Sequence, residues 1–314
     1  MEKDPPNPGV ISYILGGFTM KRFLLTLFVM LAFVSVFSFS IVDDLGRVVE
    51  IDKAPERVII AAPVFTDYLV RLGVSDRIVG VTEYDPFDAE KIGLSTPLNI
   101  EKIVSMEPDI VFVAGGYQGP EVYKLEKFGL TAVSLNPTNL ESIFRTMNII
   151  AAIFNQSEKG QQLVEAAQEK MLNISRDKAY KIPIEERKTV FYAMISGNEV
   201  KDLWTCGQGS FLNEVISMAG GVNIAGNYSG ANGWLPISVE FVAAKNPDAI
   251  LVPYYYEGNA EVSERVIMGF SPWSQINAVK NQEIYGINGD KSNHANFNLI
   301  DLMEEIYIKL YGDN

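Results

Sequence analysis

Asn99-Ile100-Glu101-Lys102-Ile103-Val104-Ser105-Met106-Glu107-Pro108-Asp109-Ile110-Val111 and Ser238-Val239-Glu240-Phe241-Val242-Ala243-Ala244-Lys245-Asn246-Pro247-Asp248-Ala249-Ile250 are two copies of one unit. Each begins with Asn or Ser, places Glu two residues later and puts a Pro-Asp pair at the same distance beyond. The physical reading is the same twice: a side-chain cap, a carboxylate in the first turn against the helix dipole, a short helix stopped by proline, then a buried strand. A chain that carries this unit twice is built as two lobes of one construction that face each other.

The flanking sequence fills in both lobes. Arg57-Val58-Ile59-Ile60-Ala61, Ile78-Val79-Gly80-Val81, Ile110-Val111-Phe112-Val113 and Thr131-Ala132-Val133-Ser134-Leu135 are short apolar runs separated by helical segments, such as Phe65 to Leu72 with its stop at Gly73. That alternation predicts an α/β lobe with a parallel sheet covered on both faces. It is preceded by Asp44 to Ile51, whose apolar and polar residues alternate as in an edge strand or hairpin. Thr189 to Ile195, Ala249 to Val252 and Glu283 to Ile287 repeat the strand pattern in the second half. Between the halves, Ser157 to Lys181 reads as one long helix capped by Ser157, a rod of roughly 36 Å at 1.5 Å per residue. The expected layout is an N-terminal lobe over 41–156, a linking helix over 157–181 and a C-terminal lobe over 182–314.

Ahead of the lobes, Met20-Lys21-Arg22 opens an apolar run from Phe23 to Val34, followed by the small residues Ser38 and Ser40. A basic flank, a short apolar core and small residues form a secretory signal, here 20–40 with cleavage near Ser40. The acidic Asp43-Asp44 that follows offers no positive flank for a membrane anchor. Residues 1–19, with Pro5, Pro6 and Pro8, have no part in export, and translation is expected to start at Met20. The single cysteine, Cys206, is far from the signal, so no lipid-attachment cysteine and no intrachain disulfide are expected of this exported, soluble protein.

The chain has 314 residues and a formal net charge of -13, with 26 Lys and Arg against 39 Asp and Glu. An acidic chain of this kind repels phosphate, which argues against nucleic acid or anionic membrane as a partner. Cluster-bearing reductases need several cysteines and chelatases a His/Glu set, yet one cysteine and one histidine are present, and there is no Gly-x-Ser-x-Gly elbow. The chain therefore reads as a binding protein and not as an enzyme. A surface adhesion or sensory module would leave the paired glutamate units without a purpose.

Asp44-Leu45-Gly46-Arg47, Pro55-Glu56-Arg57-Val58, Leu72 to Val81, the two glutamate units and Ala219-Gly220-Gly221-Val222-Asn223-Ile224-Ala225 together resemble the iron-siderophore and vitamin B12 periplasmic binding proteins of ABC transporters. The resemblance spans almost the whole chain after Ser40. It implies the class III binding-protein architecture: two Rossmann-like lobes with parallel sheets, joined by one long interlobe helix, with small hinge motion and a ligand held between the lobes. It also implies that Glu101 and Glu240 dock onto a permease dimer, the protein itself acting as a monomer.

Open parallel sheets bind ligands beyond the carboxyl ends of their strands. The segments expected there hold Tyr84, Tyr117, Trp204, Trp234, Tyr254, Tyr255, Tyr256 and the only histidine, His294. Aromatics gathered in loops suit a flat or greasy ligand, and Tyr84, Tyr117, Trp204, Trp234, Tyr254, Tyr256 and His294 are the candidate contacts, with one ring of the 254–256 run turned in to the sheet. One histidine does not make the His-rich site that captures bare zinc, so His294 is read as a hydrogen-bonding group at the rim, with direct ferric coordination by Tyr and His294 as the other use of the same groups. Gly207-Gln208-Gly209 lacks a P-loop lysine and reads as a loop that lets backbone approach the ligand, with Cys206 a small, partly buried thiol beside it and Ser210 the cap of the next helix. No arginine cluster that would match a dense oxyanion is visible. The expected ligand is a ferric chelate of low net charge, such as a hydroxamate siderophore, with a corrinoid or haem as the alternative, and no cofactor resides in the protein.

Overall fold

The computed structural model describes residues 39–196, 199–255 and 259–312. The upstream extension, the signal segment up to residue 38 and Tyr256 lie outside them. Among the described residues no helix is long and apolar enough to cross a membrane. Residues 50–54 group with the chain before Ile41, and the unit described below comprises Ile41–Val49 and Pro55–Asn314.

Strands β1 (Phe39–Val42) and β2 (Val48–Ile51) flank a turn in which Gly46 takes a left-handed φ of 77°. The turn is a latch. Asp43 accepts the backbone N–H of Leu45 and Arg47 and, at 3.2 Å, that of Ser134, while Asp44 accepts the N–H of Asn136 at 2.6 Å and pairs with Arg145. The Asp-Leu-Gly-Arg motif thus fastens the end of one sheet strand.

The first sheet contains β3 (Val58–Ile60), β4 (Ile78–Val81), β5 (Glu90–Lys91), β6 (Ile110–Ala114) and β7 (Ala132–Leu135), ordered β5-β4-β3-β6-β7 and parallel throughout. Its strands are short and nearly all apolar because helices cover both faces: α1 (Thr66–Leu72), α2 (Ile100–Ser105), α3 (Gly119–Lys127) and α4 (Leu140–Ile153). Helix α1 ends at Gly73 in the left-handed region, as the sequence predicts.

Helix α5 (Ser157–Leu172) continues as a π-helical stretch over Asn173–Lys178 and a final 3₁₀ turn over Ala179–Lys181. The linking segment is therefore helical over the expected range but not a uniform α-helical rod. Ser157 does not cap it either, since the cap position is Gln156 and no side chain accepts there.

The second sheet is ordered β11-β8-β13-β14, from β8 (Thr189–Tyr192), β11 (Val222–Asn223), β13 (Ala249–Tyr254) and β14 (Ile284–Asn288), again parallel. A three-stranded antiparallel sheet, β12-β10-β9, adjoins it, built from β9 (Met194–Ser196), β10 (Glu199–Cys206) and β12 (Trp234–Pro236). The run from Thr189 to Ile195, expected as one strand, is split at Ala193 between the two sheets. The helices are α6 (Phe211–Met218), α7 (Val239–Lys245), α8 (Ala260–Met268), α9 (Asn277–Lys280), α10 (Gly289–Asn293) and α11 (Asn298–Tyr311).

The repeated unit has the same bonds in both halves. Asn99 accepts the N–H of Lys102 at the start of α2, and Ser238 accepts that of Phe241 at the start of α7. Both helices end before their proline, at the left-handed residues Glu107 (φ 48°) and Asn246 (φ 47°), so proline follows the stop and does not make it. Asp109 then accepts the N–H of Arg57 just before β3, and Asp248 accepts the N–H and hydroxyl of Thr189 at the start of β8. The Pro-Asp pair ties each returning strand to the first strand of its sheet.

Below the strand ends, the halves meet in a close interface. The Tyr68 hydroxyl donates to the Ala295 carbonyl at 3.0 Å, and the Phe297 ring stands edge-on to Tyr68 and Phe144. Arg71 reaches Asp67, Asn298 and Asp301, and Asp301 also pairs with Lys170 of α5. Burial pushes the Asp67 carboxyl up against the pull of Arg71, whereas for Asp301 the lysine and arginine bonds outweigh burial and hold it down. A packed aromatic and ionic interface of this kind, with a single helical crossover, resists hinge opening. Solution scattering curves with and without bound ligand should nearly coincide; a large compaction on binding would show that the interface opens.

Candidate functional site

A cleft of about 350 Å³ lies at the carboxyl ends of β3, β6 and β7 of the first parallel sheet and is lined as well by segments of the second half. From the first half it is lined by Ala62-Pro63-Val64 after β3, Gly115-Gly116-Tyr117 after β6 and Asn136-Pro137-Thr138 after β7. From the second half come Phe211, Asn232, Trp234 and Asn293-His294-Ala295. The place is the one expected for an open α/β sheet.

Gln118 explains how the first wall is held. It is fully buried, accepts the N–H of Ala114 at 2.8 Å and donates to the carbonyls of Ala61 and Ser95. One amide therefore pins the chain on both sides of Tyr117 and at the end of β3. Gly115 leaves room for Asn136, whose Cβ would lie 2.5 Å from any Cβ added there, and the Asp44 latch holds Asn136 from behind.

The second wall depends on close backbone packing. A Cβ on Gly207 would sit 2.2 Å from the carbonyl oxygen of Tyr228, and one on Gly233 (φ 80°) would sit 2.1 Å from the nitrogen of Ser210. Gly207 thus admits neighbouring backbone, and this packing presents Asn232 and Trp234. Ser210 caps α6 as expected, accepting from Asn213, and so places Phe211. The Trp234 ring meets Phe211 and Tyr192 edge to face.

His294 Nδ1 lies 2.9 Å from the carbonyl oxygen of Asp290. A carbonyl only accepts, so in the neutral ring Nδ1 carries the proton and Nε2 presents its lone pair. Burial raises the Asp290 carboxyl, the charge of Asp85 adds to the rise and His294 opposes it. Burial likewise raises the Tyr117 phenol despite a bond to Ser95, which keeps it protonated and a donor. Among the described residues no group of three or more His, Cys, Asp or Glu side chains is placed to hold a metal.

Of the residues singled out from sequence, the structure brings Tyr117, Trp234 and His294 together in the cleft. Tyr84, Trp204 and Tyr254 are not among its lining. Tyr84 is 76% exposed, and Trp204 belongs to β10, where it pairs with Pro236 and lines a separate surface depression with Lys201 and Val239. Tyr254 ends β13 opposite Asn288, half-buried in the ladder. Cys206 is also a strand residue, fully buried, its thiol pushed up to about 12 by that burial. Asn136, Thr138, Asn232 and Asn293 were not signalled, because isolated amides and hydroxyls carry no periodicity, and Phe211 was passed over as the first residue of a helix. The Pro-flanked turn after β7 and the helix cap at Ser210 are the signals that would have found Asn136 and Phe211.

Glu101 and Glu240 lie away from the cleft, each exposed in the first turn of its short helix.

A substrate-binding lipoprotein of an ABC transporter from Bacillus subtilis, YvrC, itself uncharacterized, is 28% identical over 287 residues, covering 88% of this chain and 87% of its own. The periplasmic vitamin B12 binding protein BtuF of Vibrio cholerae superimposes with a TM-score of 0.66 at 25% identity, over 82% of this chain and 97% of that one. A component of the Fe3+-hydroxamate transport system of Saccharomonospora viridis gives a TM-score of 0.70 at 18% identity, over 88% and 99% of the two chains, a likeness of fold alone. The family model for periplasmic binding proteins matches residues 58–290, from the opening strand of the first sheet to the start of α10, and the chain belongs to that family.

Proposed function

We propose that the chain is the substrate-binding protein of an ABC importer and that its cleft captures a metal chelate of low net charge, with a corrinoid as the class that fits best. The observation that carries this reading is the lining. Among the described residues it contains no lysine, arginine or carboxylate, but has the rings of Tyr117, Phe211 and Trp234 and the carboxamides of Asn136 and Asn232. Rings suit a broad apolar face, and carboxamides pair in both directions with the amide arms that rim a corrin. The likeness to BtuF supports the same class. A ferric hydroxamate is also neutral and is the second reading. Haem propionates and catecholates carry charge that this lining does not match.

The protonated Tyr117 phenol and the lone histidine favour a metal that arrives inside its chelate over one coordinated by the protein. Native mass spectrometry with absorbance scanning, after incubation with cyanocobalamin, a ferric hydroxamate, a ferric catecholate and haem, tests the proposal. Cyanocobalamin should bind one to one and be recovered unchanged. A preference for the catecholate would overturn the charge argument, and conversion of any chelate over many turnovers would overturn the binding-protein reading.

A further inference from the structure

Asn293 lines the cleft, and both ends of its carboxamide are occupied. Its Oδ1 accepts from the hydroxyl of Tyr192 at 3.0 Å, and its Nδ2 donates to the hydroxyl of Tyr255 at 2.6 Å. Tyr192 is fully buried behind Trp234, so one arm of this relay is anchored in the protein. The other arm ends at Tyr255, which is half exposed. Its hydroxyl oxygen is used as an acceptor, and among the described residues no acceptor takes its proton. Burial raises this phenol, with the charge of Asp290 adding to the rise against the Asn293 bond, so it keeps that proton.

The ring is placed as carefully as the hydroxyl. A Cβ on Gly289 would come within 2.5 Å of Tyr255 Cε1 and within 2.9 Å of Cζ, so the ring lies against bare backbone at the start of α10. An exposed tyrosine with no task does not need a glycine beneath its ring and a buried-tyrosine relay behind its hydroxyl.

We infer that Tyr255 extends the binding site: its hydroxyl donates a hydrogen bond to an acceptor oxygen on the rim of the captured chelate, with Asn293 fixing the direction of that donor. The inference rests on the proposed capture of a low-charge chelate and specifies one of its recognition contacts. The acceptor belongs to the ligand's amide or hydroxamate periphery, not to its metal, because a protonated phenol is a donor and a poor metal ligand.

The test measures affinity for cyanocobalamin by calorimetry, together with melting temperature. Tyr255→Phe removes the hydroxyl, which is both the donor to the ligand and the acceptor of the Asn293 amide, and should weaken binding about three- to tenfold, the range for one net hydrogen bond, with the melting temperature nearly unchanged because Tyr255 is half exposed. Gly289→Ala should displace the ring and weaken binding to a similar degree, yet cost nothing further in a Tyr255→Ala background, because both changes act through one side chain. Unchanged affinity in Tyr255→Phe, or full additivity of the Gly289 and Tyr255 changes, overturns the inference. Failure of the unsubstituted protein to bind cyanocobalamin moves the same series to the ferric hydroxamate. If it binds neither, the capture proposal fails, and this inference with it.

Discussion

Trp273→Ala should destabilise the protein by about 3–5 kcal/mol, a large part of the roughly 5–15 kcal/mol that holds a domain folded. Trp273 is completely buried among Phe191, Val252, Ile267 and Ile284 in the core of the second sheet. Its ring stands edge-on to Phe191 and Phe270, with centroids 5.9 and 5.1 Å away. Its indole N–H donates to the carbonyl of Val239 at 3.1 Å, so the same side chain holds the first turn of α7, where Glu240 sits. Alanine would leave a cavity that flanking strands cannot fill and strip Val239 of its donor. Urea unfolding should show a lower midpoint, and Trp273→Phe, which keeps most of the volume but loses the donor, should fall between the two. A midpoint unchanged in Trp273→Ala would mean that this core contributes little to the free-energy difference between folded and unfolded chain.

The sheets were legible because parallel strands buried on both faces leave short, almost purely apolar runs. Ile110–Ala114 and Ala249–Tyr254 stand out from their neighbours for that reason. The repeat was legible because caps and Pro-Asp pairs are chemically specific. The antiparallel sheet was not. Strand β10, Glu-Val-Lys-Asp-Leu-Trp-Thr-Cys, carries three charged residues and lies partly exposed, so it reads as a loop, and Trp204 and Cys206 were placed in one. The π-helical stretch was equally hidden, since Asn173–Lys178 has ordinary helical composition and only tertiary packing decides the hydrogen-bond spacing.

The site was half legible. Of the large aromatics picked near strand ends, Tyr117 and Trp234 line the cleft. The same signal drew in Tyr84, whose ring points to solvent, because composition does not tell a ligand-facing loop from a solvent-facing one. The sequence does not distinguish the rings of Tyr254 and Tyr255, and it is the bare backbone at Gly289 that seats the ring of Tyr255.

Changing both Glu101 and Glu240 to Gln should leave ligand affinity and melting temperature nearly unaltered while uptake and stimulation of the transporter ATPase fall sharply. The structure makes the first half straightforward. Both carboxylates are exposed, and the cap bonds at these helices come from Asn99 and Ser238, so removing the charge costs about 0.3–1 kcal/mol of dipole interaction at each helix. The second half follows from what the family resemblance implies, that a glutamate on each lobe meets an arginine on each half of a permease dimer. The repeat gives that idea a structural counterpart. Each glutamate sits at the same point of the same capped helix, tied through the same Pro-Asp bond to its own sheet, so the two charges are presented by equivalent, rigid elements. A charge pair that is desolvated on docking is worth about 2–5 kcal/mol when one partner is lost. Each single change should therefore give part of the defect, and a Glu101→Asp/Glu240→Asp pair should recover some of it, because charge returns at a shorter reach. Normal uptake by the double Gln variant would reduce both residues to helix-end carboxylates that complement a dipole.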